Sequence, residues 1–73
     1  MNQPAQELFA AGLTHHRVGQ LDDAERCYIQ AIEADPTNCD AMLNLAGIKI
    51  SANLLDDAQA LLTAARAIRP TDP

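Results

Sequence analysis

The feature that most constrains this chain is that it matches itself when slid along by 34 positions. Leu21-Asp22-Asp23-Ala24 falls on Leu55-Asp56-Asp57-Ala58, Ala31 on Ala65, and Pro36-Thr37 on Pro70-Thr71. Similar residues share other slots: Leu8 with Met42, Gly12 with Ala46, Gly19 with Asn53, Glu25 with Gln59 and Tyr28 with Leu62. Self-similarity at a fixed period of this size marks stacked supersecondary units that bury their apolar faces on one another.

Each half reads as two helices. Leu8, Ala11, Gly12, His15 and Val18 follow helical spacing along one face, and Ala24, Cys27, Tyr28, Ala31 and Ile32 do the same in the next segment. Between them Gly19 supplies a residue tolerant of left-handed backbone, and Asn53 takes that slot in the second half. Asp22 with Glu25, and Asp56 with Gln59, have the spacing of a capping box at a positive helix end. Pro36 and Pro70 stop a helix, because proline lacks the amide donor and disfavours a helical residue before it. Thr37 or Asn38 then caps the next helix. The pattern predicts helices near 4–18, 22–34, 38–52 and 56–68. Nothing alternates with period two, so no strand is predicted.

The recurring positions resemble the tetratricopeptide repeat, a helix–turn–helix unit whose period matches the self-similarity of this chain. The first half offers Leu8, Ala11, Gly12, His15, Ala24, Tyr28, Ala31 and Pro36, and the second Met42, Leu45, Ala46, Lys49, Ala58, Leu62, Ala65 and Pro70. The set of small residues followed by proline is complete in both halves. The departures lie at aromatic positions, where His15 and Lys49 stand in place of the usual tyrosine and tryptophan is absent. The resemblance covers residues 5 to 72. It implies an all-α fold of four helices, with antiparallel pairs stacked as a right-handed α-solenoid. Residues 1–73 then form one domain, with repeat one at 5–38 and repeat two at 39–72.

By the same resemblance, the first helix of each pair lines a concave face that takes an extended or helical segment of a partner protein. Gln6, Phe9, Ala10, Leu13, His16 and Arg17 would lie there, joined by Asp40, Leu43, Asn44, Gly47, Ile50 and Ser51. One subset of the family holds a chaperone's C-terminal carboxylate with Lys and Asn on this face. Here Phe9 and Leu13 occupy the corresponding first-repeat positions and only Asn44 matches, so such tails are not expected to bind. Specificity would come from apolar pockets and from Arg17. Phe9 and Leu43 also have a plain reading as packing residues.

Charge narrows the partners. The net charge is −5, which opposes nucleic acid and anionic membrane surfaces, since both need a basic face. The charge is uneven: residues 5–38 carry a net −4 and residues 39–72 a net −1. No apolar run reaches bilayer length, and Met1-Asn2-Gln3-Pro4 lacks the pattern of a signal peptide. Two cysteines, Cys27 and Cys39, make no disulfide framework, so a cytoplasmic location is expected.

Chemistry is not expected. Adjacent His15 and His16 point about 100° apart on a helix, and with Cys27 and Cys39 they lack the paired spacing of a zinc site. Asp22-Asp23 and Asp56-Asp57 sit where acids complement a helix dipole. No phosphate loop, nucleophile elbow or metalloprotease motif occurs. No cofactor, metal or catalytic residue is therefore assigned.

Solenoids commonly use three or more repeats, and this sequence has two. The ending Pro70-Thr71-Asp72-Pro73 has the form of another helix opening. The expectation is a domain cut from a longer protein, or one whose open end meets another chain. Against simple truncation, Arg66 replaces Ile32 and Arg69 replaces Asp35 across the repeat, making the final edge more polar. Three functions follow: a peptide-binding scaffold module, a homodimer packed through Leu61, Leu62 and Ile68, or, by analogy alone, the substrate-recruiting N-terminal part of a larger enzyme such as a glycosyltransferase.

Overall fold

The computed structural model describes residues 5–68. The expectations that rest on Arg69, on Pro70 as a helix stop and on the ending 70–73 lie outside them, as does the N-terminal stretch 1–4. Four helices follow in order: α1 Ala5–Arg17, α2 Leu21–Ala34, α3 Cys39–Ser51 and α4 Leu55–Ile68. Each of the four predicted helices is present, with ends moved by a single residue where they differ. Among the described residues there is no strand.

The two intra-pair turns are built alike. Gly19 has φ 84° and Asn53 φ 63°, both left-handed. After α1, the Gly19 N–H donates to the His16 carbonyl and the Gln20 N–H to the His15 carbonyl. After α3, the Asn53 N–H donates to Ile50 and the Leu54 N–H to Lys49. This is the Schellman pattern, in which one left-handed residue turns the chain so that the orphan carbonyls of a helix end find donors. The next helix opens at once, because Gln20 and Leu54 carbonyls accept from Ala24 and Ala58. The connection between pairs differs. Asp35, before Pro36, is extended (φ −143°, ψ 94°), as a pre-proline residue prefers. Its carboxylate accepts from the Thr37 N–H at 3.0 Å and hydroxyl at 2.6 Å. Those two bonds hold the Asp35 carboxyl below its ordinary pKa, the hydroxyl bond first. Asn38 caps α3 by accepting from the Ala41 N–H at 3.0 Å.

The expected capping boxes do not form. Helix α2 opens one residue earlier, at Leu21, with Gln20 as N-cap and no side-chain cap bond. Asp22 and Asp23 therefore lie inside the first turn, where they complement the dipole without capping. Glu25 turns instead toward α3, where its carboxylate accepts from Lys49 Nζ at 2.7 Å. Val18, expected on the buried stripe, is 66% exposed. It lies beyond the last residue of α1, so helical periodicity no longer aims it inward.

Helix α2 packs on both α1 and α3, and α3 on α4. The main core joins Ala24, Tyr28, Ala31, Ala41, Leu45 and Ile48, with half-buried Leu8, Phe9, Leu13, Ile32 and Leu61 against it. A second cluster of Cys39, Met42 and Ala65 also touches Ile32 and Leu61, which bridge the two. The interior helix α3 buries residues on much of its surface, whereas α1 buries only Gly12. Small residues set the helix spacing. A Cβ on Gly12 would lie 2.5 Å from Cε1 and 2.6 Å from Cδ1 of Tyr28. In the second pair the same two positions hold Ala46 and Leu62, so the larger partner faces the smaller one in the first pair and the mismatch is evened out in the second.

Candidate interaction surface

The residues expected on the binding face fall into two groups. On α1, Phe9 and His16 lie one above the other against the ring of Tyr28, which reaches them from α2. The Phe9 and Tyr28 centroids are 5.9 Å apart, and the His16 ring meets Tyr28 edge-on at 6.0 Å. His16 Nδ1 also shares a hydrogen bond of 3.1 Å with the Tyr28 hydroxyl. Burial of that phenol raises its pKa above the ordinary value of 10.0, with the neighbouring Cys27 adding to the effect. Leu13, His16 and Arg17 line an open hollow of about 210 Å³ at the C-terminal end of α1. Phe9 and Leu13 are half-buried and pack on the core, so both are structural as well as available. Gln6 stands exposed in the first turn.

On α3, Leu43 is 48% and Ile50 51% exposed. Gly47 lies between them at helical spacing, and beyond its chain neighbours and the helix's own backbone nothing comes within 4 Å of the position its Cβ would take. The result is two apolar side chains flanking bare backbone, a slot open to solvent. Asn44 is half-buried, and its amide donates to the Asp40 carbonyl at 2.8 Å. The residue shared with the carboxylate-holding subset thus spends a donor on its own helix.

The two polar residues at tyrosine positions are each paired. His15 Nδ1 lies 2.7 Å from Gln20 Oε1, an oxygen that can only accept, so the ring donates. Lys49 is held above its ordinary pKa, first by the hydrogen bond to Glu25 and also by the charges of Glu25 and Asp57, against partial desolvation. With side chains only 18% and 31% exposed, Lys49 and Glu25 form a partly shielded tie between the helix pairs. Sequence reasoning missed this bond because its partners lie far apart in the chain and it replaces an apolar contact. It also treated Tyr28 only as core, although its ring is the floor that Phe9 and His16 share.

Among the described residues, no group of three or more His, Cys, Asp and Glu could hold a metal. Cys27 is half-buried, and Cys39 is buried with its thiol 3.6 Å from the Ala65 carbonyl. Among the same residues, no helix is long and apolar enough to cross a membrane.

Two helix pairs with the same left-handed turn, the same small residues at the crossings and an open apolar strip define a helical-repeat protein. The family model of the tetratricopeptide repeat matches residues 8–73, and the chain belongs to that family. Repeats of this family are typically non-catalytic protein–protein interaction modules. No curated protein and no solved structure matches the chain.

Proposed function

We propose that this chain holds an extended or helical peptide segment of a partner protein on the surface formed by Phe9, Leu13, His16, Arg17, Leu43 and Gly47, with Gln6 and Asn44 at its polar margin. The observation that carries this reading is the slot on α3, where Leu43 and Ile50 stand about half exposed on either side of Gly47. Apolar side chains left in water beside bare backbone are what a partner segment covers. Nothing in the site asks for a catalytic group, so the module recruits rather than reacts. We read it as one domain of two repeats, 5–38 and 39–72, in the cytoplasm, where two unpaired cysteines fit. Were it joined to an enzyme, the same surface would recruit that enzyme's substrate.

The reading of a homodimer through the last helix is less well supported. Leu61 and Leu62 are half-buried, and Leu61 is spent on both core clusters. Only Ile68, 41% exposed, remains of that face. Arg66 also puts a charge where α2 uses Ile32 to bridge the clusters.

Peptides selected from a random display library against the chain test the proposal. The double variant Leu43→Ser/Ile50→Ser should weaken their binding by about tenfold or more, with helix content unchanged because both residues are exposed. Selected peptides that bind this variant as they bind the parent chain would overturn the groove reading. Sedimentation of the free chain as a dimer that Ile68→Ser dissociates would favour self-association instead.

A further inference from the structure

The groove leaves a second set of exposed apolar residues unexplained. Val18 (66% exposed) and Leu21 (37%) flank the first intra-pair turn, and Leu54 (46%) and Leu55 (57%) the second. The chain order α1 to α4 with antiparallel neighbours brings both turns to the same end of the bundle. The Glu25–Lys49 bond of 2.7 Å confirms it, since it joins the start of α2 to the end of α3. Asp57, at the start of α4, acts on the same ammonium. Around the first turn, Gly19, Gln20, Leu21, Asp22 and Asp23 line an open hollow of about 370 Å³. Carboxylates accompany the apolar residues at both turns: Asp22 and Asp23 after Leu21, Asp56 and Asp57 after Leu55.

The acids have a local role in the first turns of α2 and α4, but the leucines do not. A leucine at the first helical position, repeated one full period later and exposed both times, contributes little to a core it does not enter. Two of the three cations nearby are paired with carboxylates. Arg26 pairs with Asp23 at 3.1 Å and Lys49 with Glu25, while Arg17 lines the hollow with Leu13 and His16. The end of the bundle therefore carries exposed apolar residues at both turns, with carboxylates next to them in the chain.

We propose that this end, formed by Val18, Leu21, Leu54 and Leu55 with Asp22 and Asp56, is a second docking surface that takes a cationic amphipathic helix of a partner protein. Charge complementarity selects that occupant. A leucine-bearing face covers the patch while lysines or arginines beside it meet the carboxylates. A second copy of the chain would set acid against acid, and an anionic surface would be repelled.

A synthetic helix of leucine and lysine, with leucines on one face, is the probe. A scrambled peptide of the same composition, whose leucines share no face, is the control. Titration followed by amide NMR should shift residues 18–23 and 54–57 and weaken as salt rises. Val18→Ser/Leu55→Ser should reduce affinity by about tenfold or more. Asp22→Asn/Asp56→Asn should lower both affinity and its salt dependence, and Leu43→Ser/Ile50→Ser should change neither. Circular dichroism checks that each variant keeps its helices. Equal binding of the scrambled peptide, shifts confined to residues 9–17 and 43–50, or insensitivity to both end variants would overturn the proposal. So would a parent chain that dimerises and is made monomeric by Val18→Ser/Leu55→Ser. Loss of groove binding with this end intact would sink only the reading of the preceding subsection.

Discussion

Replacing Gly12 with alanine sets two known effects against each other. Alanine is favoured over glycine within a helix by roughly 1 kcal/mol, so an open site would be stabilised. Here the new methyl would fall 2.5 and 2.6 Å from two ring carbons of Tyr28, far inside contact distance. The ring has no room to retreat. Tyr28 is fully buried, set against the tilted ring of Phe9 and tied to His16 through its hydroxyl. Helix α1 must therefore move away from α2, and overpacking of this kind costs about 1–3 kcal/mol. Because the clash involves a rigid ring and two carbons, the upper part of that range applies, leaving a net loss of about 1–2 kcal/mol. For a domain of this size that lowers the melting temperature by roughly 5–15 °C. The second helix pair supplies the remedy, since it carries alanine and leucine at the same two positions. Gly12→Ala combined with Tyr28→Leu should recover stability relative to the sum of the single changes. Thermal and urea unfolding followed by circular dichroism would measure the four corners of this cycle. A Gly12→Ala chain more stable than the parent, or strictly additive single effects, would refute the argument that the two residues are matched.

Three other outcomes follow from the geometry. Tyr28 is the only tyrosine, so its ultraviolet absorbance titration is unmixed and should show a midpoint above the ordinary 10.0. Because the folded state holds the pKa of both Tyr28 and Lys49 above their unfolded values, the stability they contribute is full below those values and is lost as pH rises through the folded ones. Urea midpoints should thus be insensitive to these groups near neutrality and fall above about pH 10; midpoints that rose there would contradict the sign. Asn53, at φ 63°, should accept glycine with little change or a small gain, while Asn53→Ala should cost about 1 kcal/mol, read by the same unfolding curves.

Much of the fold was legible in the sequence because its signals are local. A left-handed turn asks for glycine or asparagine at one position, and Gly19 and Asn53 stand at the corresponding place in the two repeats. Pro36 and the cap Asn38 likewise act within a few residues. The periodic stripes placed Ala24, Tyr28 and Ala31 inside, where they are. The stripe failed at Val18 because a helix end, misjudged by one residue, changes the direction of every side chain past it. The capping boxes failed for a related reason: spacing identifies a residue able to reach an amide, but not a better partner elsewhere. For Glu25 that partner was Lys49.

The candidate surface divides along the same line. Helical spacing groups the expected residues along one side of α1 and one side of α3. It did not separate Phe9 and Leu13, which are half-buried against the core, from Leu43 and Ile50, which are open to solvent. That distinction depends on what α2 brings against α1, namely the ring of Tyr28.

Sequence by itself thus determined the period, the turns and the membership of each helix pair, because backbone torsions and hydrogen bonds to near neighbours set them. Only the tertiary structure decided the matching of Gly12 with Tyr28, the Glu25–Lys49 tie between pairs and the exposure of Val18, Leu54 and Leu55. Those features arise where separate helices meet or fail to meet. Their energies depend on distances of a few ångströms between residues that the chain order leaves far apart.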